Sequence, residues 1–254
     1  MPADFRPETS DVQVSAIVLD IEGTTTPIAF VYDVLFPYAR AHLPGYLDDP
    51  ANAAALAEPL RLLQEERSRE SAVDSPPETG HHVREYIAWL MDRDRKSPGL
   101  KLLQGQIWER GYRTGELKGQ VFPDVAPALR RWKGAGIDIA IYSSGSVLAQ
   151  RLLFGSTTDG DLTPLLSQFF DTGVGPKTSS DSYTRIARDL GRQPREVLFV
   201  SDVIAELGAA KAAGCQVLLC VRPGNKPQPA HHHSIIDTFE DIDQPRKHEN
   251  TKSQ

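Results

Sequence analysis

After Phe122 the chain alternates apolar runs with amphipathic stretches, and this alternation limits the possible folds more than any other feature. Apolar runs bounded by turn residues predict buried strands, whereas apolar residues recurring every three or four positions predict helices. Strict alternation of the two indicates a parallel sheet with right-handed crossovers. The predicted strands lie at residues 137–141, 168–171, 196–200 and 216–221, and the predicted helices at 124–133 (with Asp124 as N-cap), 147–154, 183–190 and 205–213.

One more apolar run, residues 14–19, precedes this half of the chain and ends at Asp20. Its unbroken apolar character indicates a parallel strand that is buried on both faces. The stretch from Pro27 to about Gly119 follows a helical pattern, so the simplest account is an α/β core with a helical insertion. We predict a catalytic core domain of residues 1–27 and 120–243, a helical cap domain of residues 28–119 above the strand ends, and a flexible tail of residues 244–254.

Composition argues against several classes of function. The 254 residues carry a net charge of −6 without a basic stripe, which argues against a nucleic-acid partner. No apolar run approaches the roughly 20 residues that span a bilayer, and the first residues lack the layout of a secretory signal. Cys215 and Cys220 have no redox or zinc spacing, so we expect buried free thiols. We therefore expect a cytoplasmic monomer with neither nucleic-acid nor membrane partners.

Acidic residues follow two of the predicted core strands. Asp20 and Glu22 come after the first strand, and Asp202 comes after the strand at 196–200, the fourth of the predicted core strands. Because ligands of open α/β sheets bind beyond the carboxyl ends of the strands, we expect these side chains to converge there. Their hard oxygens, together with water, suit octahedral Mg²⁺, which neutralises phosphate charge and lets a carboxylate approach it.

Hydroxyl and ammonium groups follow the other strand ends. Ser143 and Ser144 come after the strand at 137–141, and Lys177 lies in a Gly-Pro-Lys loop after the next strand. A serine hydroxyl beside the N–H groups of a helix start can cradle a phosphate, and a lysine offers positive charge to it. Together with the carboxylates, these groups predict phosphoryl transfer in which Asp20 attacks phosphorus and forms an aspartyl-phosphate.

Each of these residues also has an ordinary structural explanation. An isolated Asp at a strand end is most often a helix N-cap, and paired serines are common turn residues. Lys177 alone would be a solvated surface lysine. The matching positions of all four groups, each at the end of a predicted core strand, favour a functional site over these separate explanations.

Four segments resemble, in order, the motifs of the haloacid dehalogenase superfamily: DIEGTT, YSSGS, the GPK loop and LFVSDV. Glu22 replaces the second Asp that is usual there. This Glu, the Thr-Thr-Thr-Pro segment behind it, the Ser-Ser pair and VRPGN at 221–225 resemble the enolase-phosphatase family of methionine salvage. The resemblance covers about residues 14–240 and implies an α/β fold, a Rossmann-like parallel-sheet core of haloacid dehalogenase type with an inserted all-helical cap domain.

The resemblance also implies a reaction. The substrate would be 2,3-diketo-5-methylthiopentyl-1-phosphate, a small phosphorylated diketone, which is first enolised and then dephosphorylated. The products would be an acireductone, 1,2-dihydroxy-3-keto-5-methylthiopentene, and phosphate. The residues that carry over are Asp20 and Glu22 as catalytic groups, Asp20, Glu22 and Asp202 as ligands of one Mg²⁺ per chain, and Ser143, Ser144 and Lys177 as substrate contacts.

Proton handling is the less determined part of this mechanism. Glu22 is our first choice, because it reaches one methylene further into the site than the usual Asp. If Glu22 is chiefly a metal ligand, another group must move the proton. Glu206 is expected to orient Lys177. In the helical insertion Tyr32, Phe36 and Tyr86 are candidates for meeting the methylthio tail, although packing explains them equally well.

Three other functions compete with this one. A phosphatase of the same fold acting on another small ester is the nearest, and Glu22 with the Ser-Ser pair argues against it. A halide-releasing enzyme would have no use for a magnesium site. A non-catalytic phospho-acceptor module also places Asp, Ser or Thr, and Lys at strand ends, but a helical lid would obstruct its docking surface.

Overall fold

The computed structural model describes residues 13–70, 83–95 and 97–242, and within them a parallel sheet of six strands forms. The predicted tail and residues 1–12 lie outside the described residues. The strand order is β3-β2-β1-β4-β5-β6, and every neighbouring pair is parallel. The strands are β1 (Ala16–Leu19), β2 (Asp138–Tyr142), β3 (Gln168–Phe170), β4 (Val197–Ser201), β5 (Gln216–Cys220) and β6 (Ile235–Ile236).

Helices account for most of the remaining regular structure in the described part of the chain. A π-helix, Phe30–Leu35, and short 3₁₀ turns supplement them. The α-helices are α1 (Phe36–Asp48), α2 (Ala53–Arg69), α3 (Val83–Asp92), α4 (Pro98–Thr114), α5 (Val125–Gly134), α6 (Val147–Gly155), α7 (Ser180–Asp189) and α8 (Ile204–Ala212).

Contacts divide the chain into two compact units. The sheet unit comprises Met1–Ile28, Gln120–Ser144 and Asp159–Gln254, and the helical unit comprises Ala29–Gly119 and Gly145–Thr158. The helical unit therefore includes α6, which the predicted boundaries leave in the core, because α6 packs on α4. The predicted domain boundaries follow chain order alone and remain a prediction.

The position of β1 determines where the polar strand ends meet. β1 lies between β2 and β4, and Leu19 pairs with Ile141 on one side and with Val200 on the other. All four residues of β1 are buried, because helices cover both faces of the sheet. Since these strands are parallel and in register, the residues that follow them lie at one edge of the sheet.

The core on one face of the sheet is formed by β-strand side chains together with α7 and α8. Tyr183 of α7 packs its ring edge on Phe199 of β4, with ring centroids 4.9 Å apart. The same cluster contains small residues of α8, which let that helix approach β4 and β5 closely. Its largest fully buried members are Tyr142, Tyr183 and Phe199.

Most element predictions are confirmed to within a few residues, and the differences have physical causes. The strand β6 was not predicted, because two isoleucines after a run of histidines give too short a pattern. The helix α7 begins at Ser180, earlier than the apolar stripe that predicts it, because its first turn is polar. Cys215 and Cys220 are buried free thiols, as expected. In the described residues, no helix is long and apolar enough to span a membrane.

Candidate active site

Asp20 stands at the end of β1, where three donors hold its carboxylate. Only 5% of the residue is exposed to solvent. Its Oδ1 accepts hydrogen bonds from Lys177 Nζ at 2.6 Å and from the N–H of Ile21 at 2.8 Å. Its Oδ2 accepts one from the Ser201 hydroxyl at 3.2 Å. The carboxylate is therefore held at the edge of the sheet where ligands of such sheets bind.

Lys177 lies in the loop after β3 and is almost fully buried. Its Nζ lies 2.7 Å from Glu206 Oε2, in addition to its contact with Asp20. The Tyr183 hydroxyl donates a hydrogen bond to the Lys177 carbonyl at 2.6 Å, which fixes the loop on α7. The predicted contact between Glu206 and Lys177 is thereby confirmed.

The site holds more negative charge than positive charge. Burial opposes the charge on Lys177, but the attraction of Asp20 and Glu206 is stronger and raises the pKa of the ammonium above its usual value. Burial, with repulsion from Asp20 added to it, raises the pKa of Glu206. The same two effects raise the pKa of Asp202 to about 7. A single ammonium does not neutralise this cluster, so a further cation would stabilise it.

A tight turn follows Asp20. The N–H groups of residues 24, 25 and 26 all point to the Ile21 carbonyl, and the Thr25 hydroxyl donates to the Asp20 carbonyl at 3.0 Å. The three consecutive threonines are fully buried. The turn is therefore rigid, and it sets the position of Glu22 relative to Asp20.

Gly23, within this turn, has a φ of +71°, in the region that favours glycine. A Cβ at this position would lie 2.5 Å from Asp202 Oδ2 and 2.9 Å from Asn225 Oδ1. The absence of a side chain at Gly23 thus allows an oxygen from the β4 end and an oxygen from the loop after β5 to approach the turn.

These oxygens fit a hard divalent cation such as Mg²⁺. Asn225 Oδ1 is buried and has no hydrogen-bond partner within the described residues. Across the same residues, no group of three or more His, Cys, Asp or Glu side chains is arranged to hold a metal. Mg²⁺ commonly binds through only one or two carboxylates and keeps several waters. Asp20 and Asp202, with main-chain, amide or water oxygens, are a donor set of this kind.

The remaining predicted site residues occupy the same edge of the sheet. Glu22 is half-buried in the turn, and its backbone forms an isolated β-bridge with Thr26. Its negative charge contributes to the raised pKa of Asp202. Ser143 is buried, and its N–H donates to the Phe170 carbonyl at 3.1 Å. Ser144 is half-buried. Direct hydrogen bonds join Asp20, Lys177, Ser201 and Glu206. The substrate contacts of Ser143 and Ser144 remain a prediction.

Arg222, in the loop after β5, ties the turn at Gly23 to the rest of the sheet unit. Its Nε donates to the Thr24 carbonyl at 3.3 Å, and its Nη2 donates to Asp124 Oδ2 at 2.8 Å. Its guanidinium also lies 4.7 Å from the ring centroids of Phe122 and Phe239. Buried charge is tolerated here because the ion pair, the carbonyl and the two rings all compensate it.

The prediction that Asp124 caps a helix is only half correct. Asp124 occupies the N-cap position of α5, but its side chain makes no capping hydrogen bond. Its Oδ2 instead accepts from Arg222, from the N–H of Phe239 at 2.6 Å and from the Thr238 hydroxyl at 3.2 Å. The Asp124 carboxylate therefore forms a long-range ion pair with Arg222 and does not cap α5.

The three aromatic candidates in the helical unit differ in exposure. Tyr86 is buried, with its ring stacked near Trp89, so packing explains it. Tyr32 is 47% exposed, and its ring meets the edge of the half-buried Phe36 at 5.4 Å. Of the three, Tyr32 and Phe36 therefore have surface to offer an apolar group.

Sequence reasoning missed Ser201, Asn225 and Arg222. Ser201 directly precedes Asp202 at the end of β4, which is a usable signal in retrospect. Arg222 and Asn225 both belong to the VRPGN segment, which resembles the enolase-phosphatase family but indicates no role for either residue. Their contacts join residues far apart in the chain, so no local pattern predicts them.

This combination of a parallel sheet and a buried Asp–Lys–Glu cluster at its strand ends is that of a haloacid dehalogenase-like hydrolase, and the family model of that description matches residues 14–214. Enolase-phosphatase E1 of Synechococcus elongatus is 50% identical over 234 residues, which cover 91% of this chain and 98% of that protein. Enolase-phosphatase E1 of Drosophila mojavensis is 47% identical, covering 89% and 93% of the two chains. The chain therefore belongs to the enolase-phosphatase E1 family of haloacid dehalogenase-like hydrolases.

A solved structure shares the fold over most of this chain. The UTR4 protein of Saccharomyces cerevisiae superimposes with a TM-score of 0.71 and is 35% identical. The match covers 89% of this chain and 99% of that chain. Both the fold class and the superfamily expected from the four motifs are thus confirmed.

Proposed function

We propose that the protein is a bifunctional enolase-phosphatase of methionine salvage. It converts 2,3-diketo-5-methylthiopentyl-1-phosphate to the acireductone 1,2-dihydroxy-3-keto-5-methylthiopentene and phosphate. The observation that carries the proposal is the buried Asp20 carboxylate, which accepts a hydrogen bond from Lys177 at 2.6 Å. The sequence identity of 50% with an enolase-phosphatase over 234 residues supports it. Buried free thiols and a net charge of −6 support a cytoplasmic enzyme, which we propose to act as a monomer.

Asp20 is the proposed nucleophile. One of its carboxylate oxygens forms a bond to phosphorus, while the bond between phosphorus and the ester oxygen of the substrate breaks. Lys177 holds the Asp20 carboxylate through its hydrogen bond at 2.6 Å and offers positive charge to the phosphoryl oxygens. The Ser201 hydroxyl restrains the carboxylate from the other side. Ser143 and Ser144, which follow the neighbouring strand, are proposed to bind the phosphoryl group.

One Mg²⁺ per chain is proposed to be held by Asp20, Asp202 and the turn at Glu22. When bound, this cation neutralises phosphate charge and polarises a dicarbonyl oxygen. The excess of carboxylates over ammonium groups and the oxygens gathered at Gly23 support this assignment.

Glu22 is the proposed proton carrier in both half-reactions. As a carboxylate it takes the proton from C1 of the diketone, and the electron pair of that bond forms the enol double bond. As a carboxylic acid it then gives a proton to the oxygen that leaves phosphorus. A water molecule finally attacks phosphorus in the aspartyl-phosphate and gives a proton to Glu22, which passes it to the C2 oxygen of the enolate. Phosphate is released, and the carboxylates of Asp20 and Glu22 are both restored.

The two half-reactions can be measured separately. Enol absorbance and phosphate release are followed on the diketo phosphate with and without MgCl₂, with p-nitrophenyl phosphate as a second substrate. We expect magnesium-dependent enol formation before phosphate release and little reaction with the aryl phosphate. Hydrolysis of the aryl phosphate alone would instead support a phosphatase for another ester.

The variant Asp20→Asn tests the covalent step. Phosphate release should fall at least about 1,000-fold, because the nucleophile is removed. A matched control is Asp171→Asn, which makes the same change in the residue after β3, whose Oδ1 accepts a hydrogen bond from the Gly173 N–H at 2.8 Å within a turn. Phosphate release that survives in Asp20→Asn would contradict the proposed nucleophile.

A further inference from the structure

The loop after β5 brings an amide side chain to the turn at Gly23. The chain turns at residues 222–225, where the N–H of Asn225 donates to the Arg222 carbonyl at 3.1 Å and Gly224 has a φ of +91°. The Asn225 side chain then reaches back to the β1 turn. Its Nδ2 donates to the Gly23 carbonyl at 3.0 Å and to the Cys220 carbonyl at 3.4 Å.

These contacts fix which way the amide faces. Both groups that accept from Nδ2 are carbonyl oxygens. If the side-chain amide were flipped, Oδ1 would face these two acceptors and could form a hydrogen bond with neither. Oδ1 must therefore lie on the other side, where a Gly23 Cβ would be 2.9 Å from it and 2.5 Å from Asp202 Oδ2. Oδ1 is buried and has no partner within the described residues, which is costly for an amide oxygen.

We propose that Asn225 is a positioning residue of the cation site: its NH₂ group holds the Gly23 peptide, and its Oδ1 accepts a hydrogen bond from a water bound to the Mg²⁺. The inference rests on the Mg²⁺ of the proposed function. A hydrated Mg²⁺ near Asp202 supplies donors where Oδ1 lacks one. Asn225 thus adds the end of a third strand, β5, to a site otherwise built at the ends of β1 and β4.

Calorimetric titration with MgCl₂ tests this role without reference to turnover. Asn225→Ala should bind Mg²⁺ about 10-fold more weakly than the wild type, the usual cost of losing a group that orients a metal's ligands. The matched control is Asn52→Ala in the helical unit, which removes a half-buried amide that donates to the Tyr46 carbonyl at 3.0 Å. Its Mg²⁺ affinity should equal that of the wild type.

Nuclear magnetic resonance of the wild type provides a second test that requires no folded Asn225 variant. The sequence contains only three asparagines, 52, 225 and 250, so their side-chain amides are readily resolved after selective labelling. Adding MgCl₂ should shift the amide signal of Asn225 and leave that of Asn52 in place, because only Oδ1 of Asn225 gains a hydrogen bond.

The outcomes separate this inference from the function on which it rests. Weaker Mg²⁺ binding by Asn225→Ala supports the inference. If that variant does not fold, a shift of the Asn225 amide signal in the wild type supports it instead. If the wild type binds Mg²⁺ while the Asn225 signal and the variant's affinity are unchanged, the inference is wrong and the proposed function stands. If the wild type binds no Mg²⁺, both the proposed cation and the role of Asn225 are lost.

Discussion

Lys177 Nζ lies 2.6 Å from Asp20 Oδ1, and the same ammonium lies 2.7 Å from Glu206 Oε2. One buried ammonium therefore serves two carboxylates, that of Asp20 after β1 and that of Glu206 in the first turn of α8. Burying such a group is favourable only while its partners remain, since a lone buried charge is expensive. This shared ion pair connects the stability of the sheet unit to the chemistry of its edge.

Lys177→Met should destabilise the protein by about 3–5 kcal/mol at neutral pH, because two buried carboxylates then lose their counter-charge. Urea unfolding measures the change. The cost should shrink in acid, where protonation removes the negative charge, and Lys177→Met combined with Glu206→Gln should recover part of it. Lys211→Met, at an exposed lysine of α8, should change the free energy of unfolding by less than about 0.5 kcal/mol. Equal costs in the two lysine variants would contradict the shared ion pair.

Gly23→Ala should lower both stability and activity, because its Cβ would lie 2.5 Å from Asp202 Oδ2 in a backbone with φ of +71°. Gly191→Ala is the matched control, since its φ is +68° and the added Cβ would meet open space. Backbone strain alone should cost each variant about 1–2 kcal/mol in urea unfolding. Phosphate release and Mg²⁺ affinity should fall only in Gly23→Ala. A normal rate in that variant would show that the close approach of Asp202 is unimportant.

The convergence of Asp20, Lys177 and Asp202 could be predicted because it depends on topology. Strand and helix alternation requires a parallel sheet, and a parallel sheet brings the strand ends to one edge. The contact of Glu206 with Lys177 was expected only from the place of Glu206 on the helix after Asp202, and it is confirmed. Details set by side-chain geometry could not be predicted: the Asn225 amide reaches the site through a turn after β5 whose shape the pattern of apolar residues does not encode.

Asp202 should make the metal-free protein less stable as pH rises. Its pKa is raised from an ordinary 3.8 to about 7 in the folded protein, first by burial and then by Asp20. The folded state therefore holds more protons than the unfolded state between these values, and the free energy of unfolding falls with pH across this window.

Asp202→Asn removes this dependence. In EDTA the variant should be about 2–4 kcal/mol more stable than the wild type above pH 7 and nearly equal to it below pH 4. Urea unfolding at a series of pH values measures the difference. MgCl₂ should stabilise the wild type above pH 7 and leave the variant unchanged. A difference between the two proteins that does not vary with pH would contradict the raised pKa.

Asp124 illustrates a role that local sequence conceals, because its main partner, Arg222, lies 98 residues away. Burial raises the pKa of Asp124, but the hydrogen bonds from Arg222 and the Phe239 N–H outweigh it and lower the pKa below its usual value. The stability this carboxylate provides is thus present above its unfolded pKa and is lost as pH falls through the folded one.

Asp124→Asn should therefore cost about 3–5 kcal/mol at pH 7 in urea unfolding, and the cost should diminish in strong acid. The helix content measured by circular dichroism should not change in the folded variant, because the Asp124 side chain does not cap α5. Asp138→Asn breaks a comparable pair with Arg192 at 2.7 Å that is about one-third exposed, and should cost no more than about 1 kcal/mol. If the two Asp variants lose equal stability, burial of the Arg222 pair does not matter and Asp124 has no special structural role.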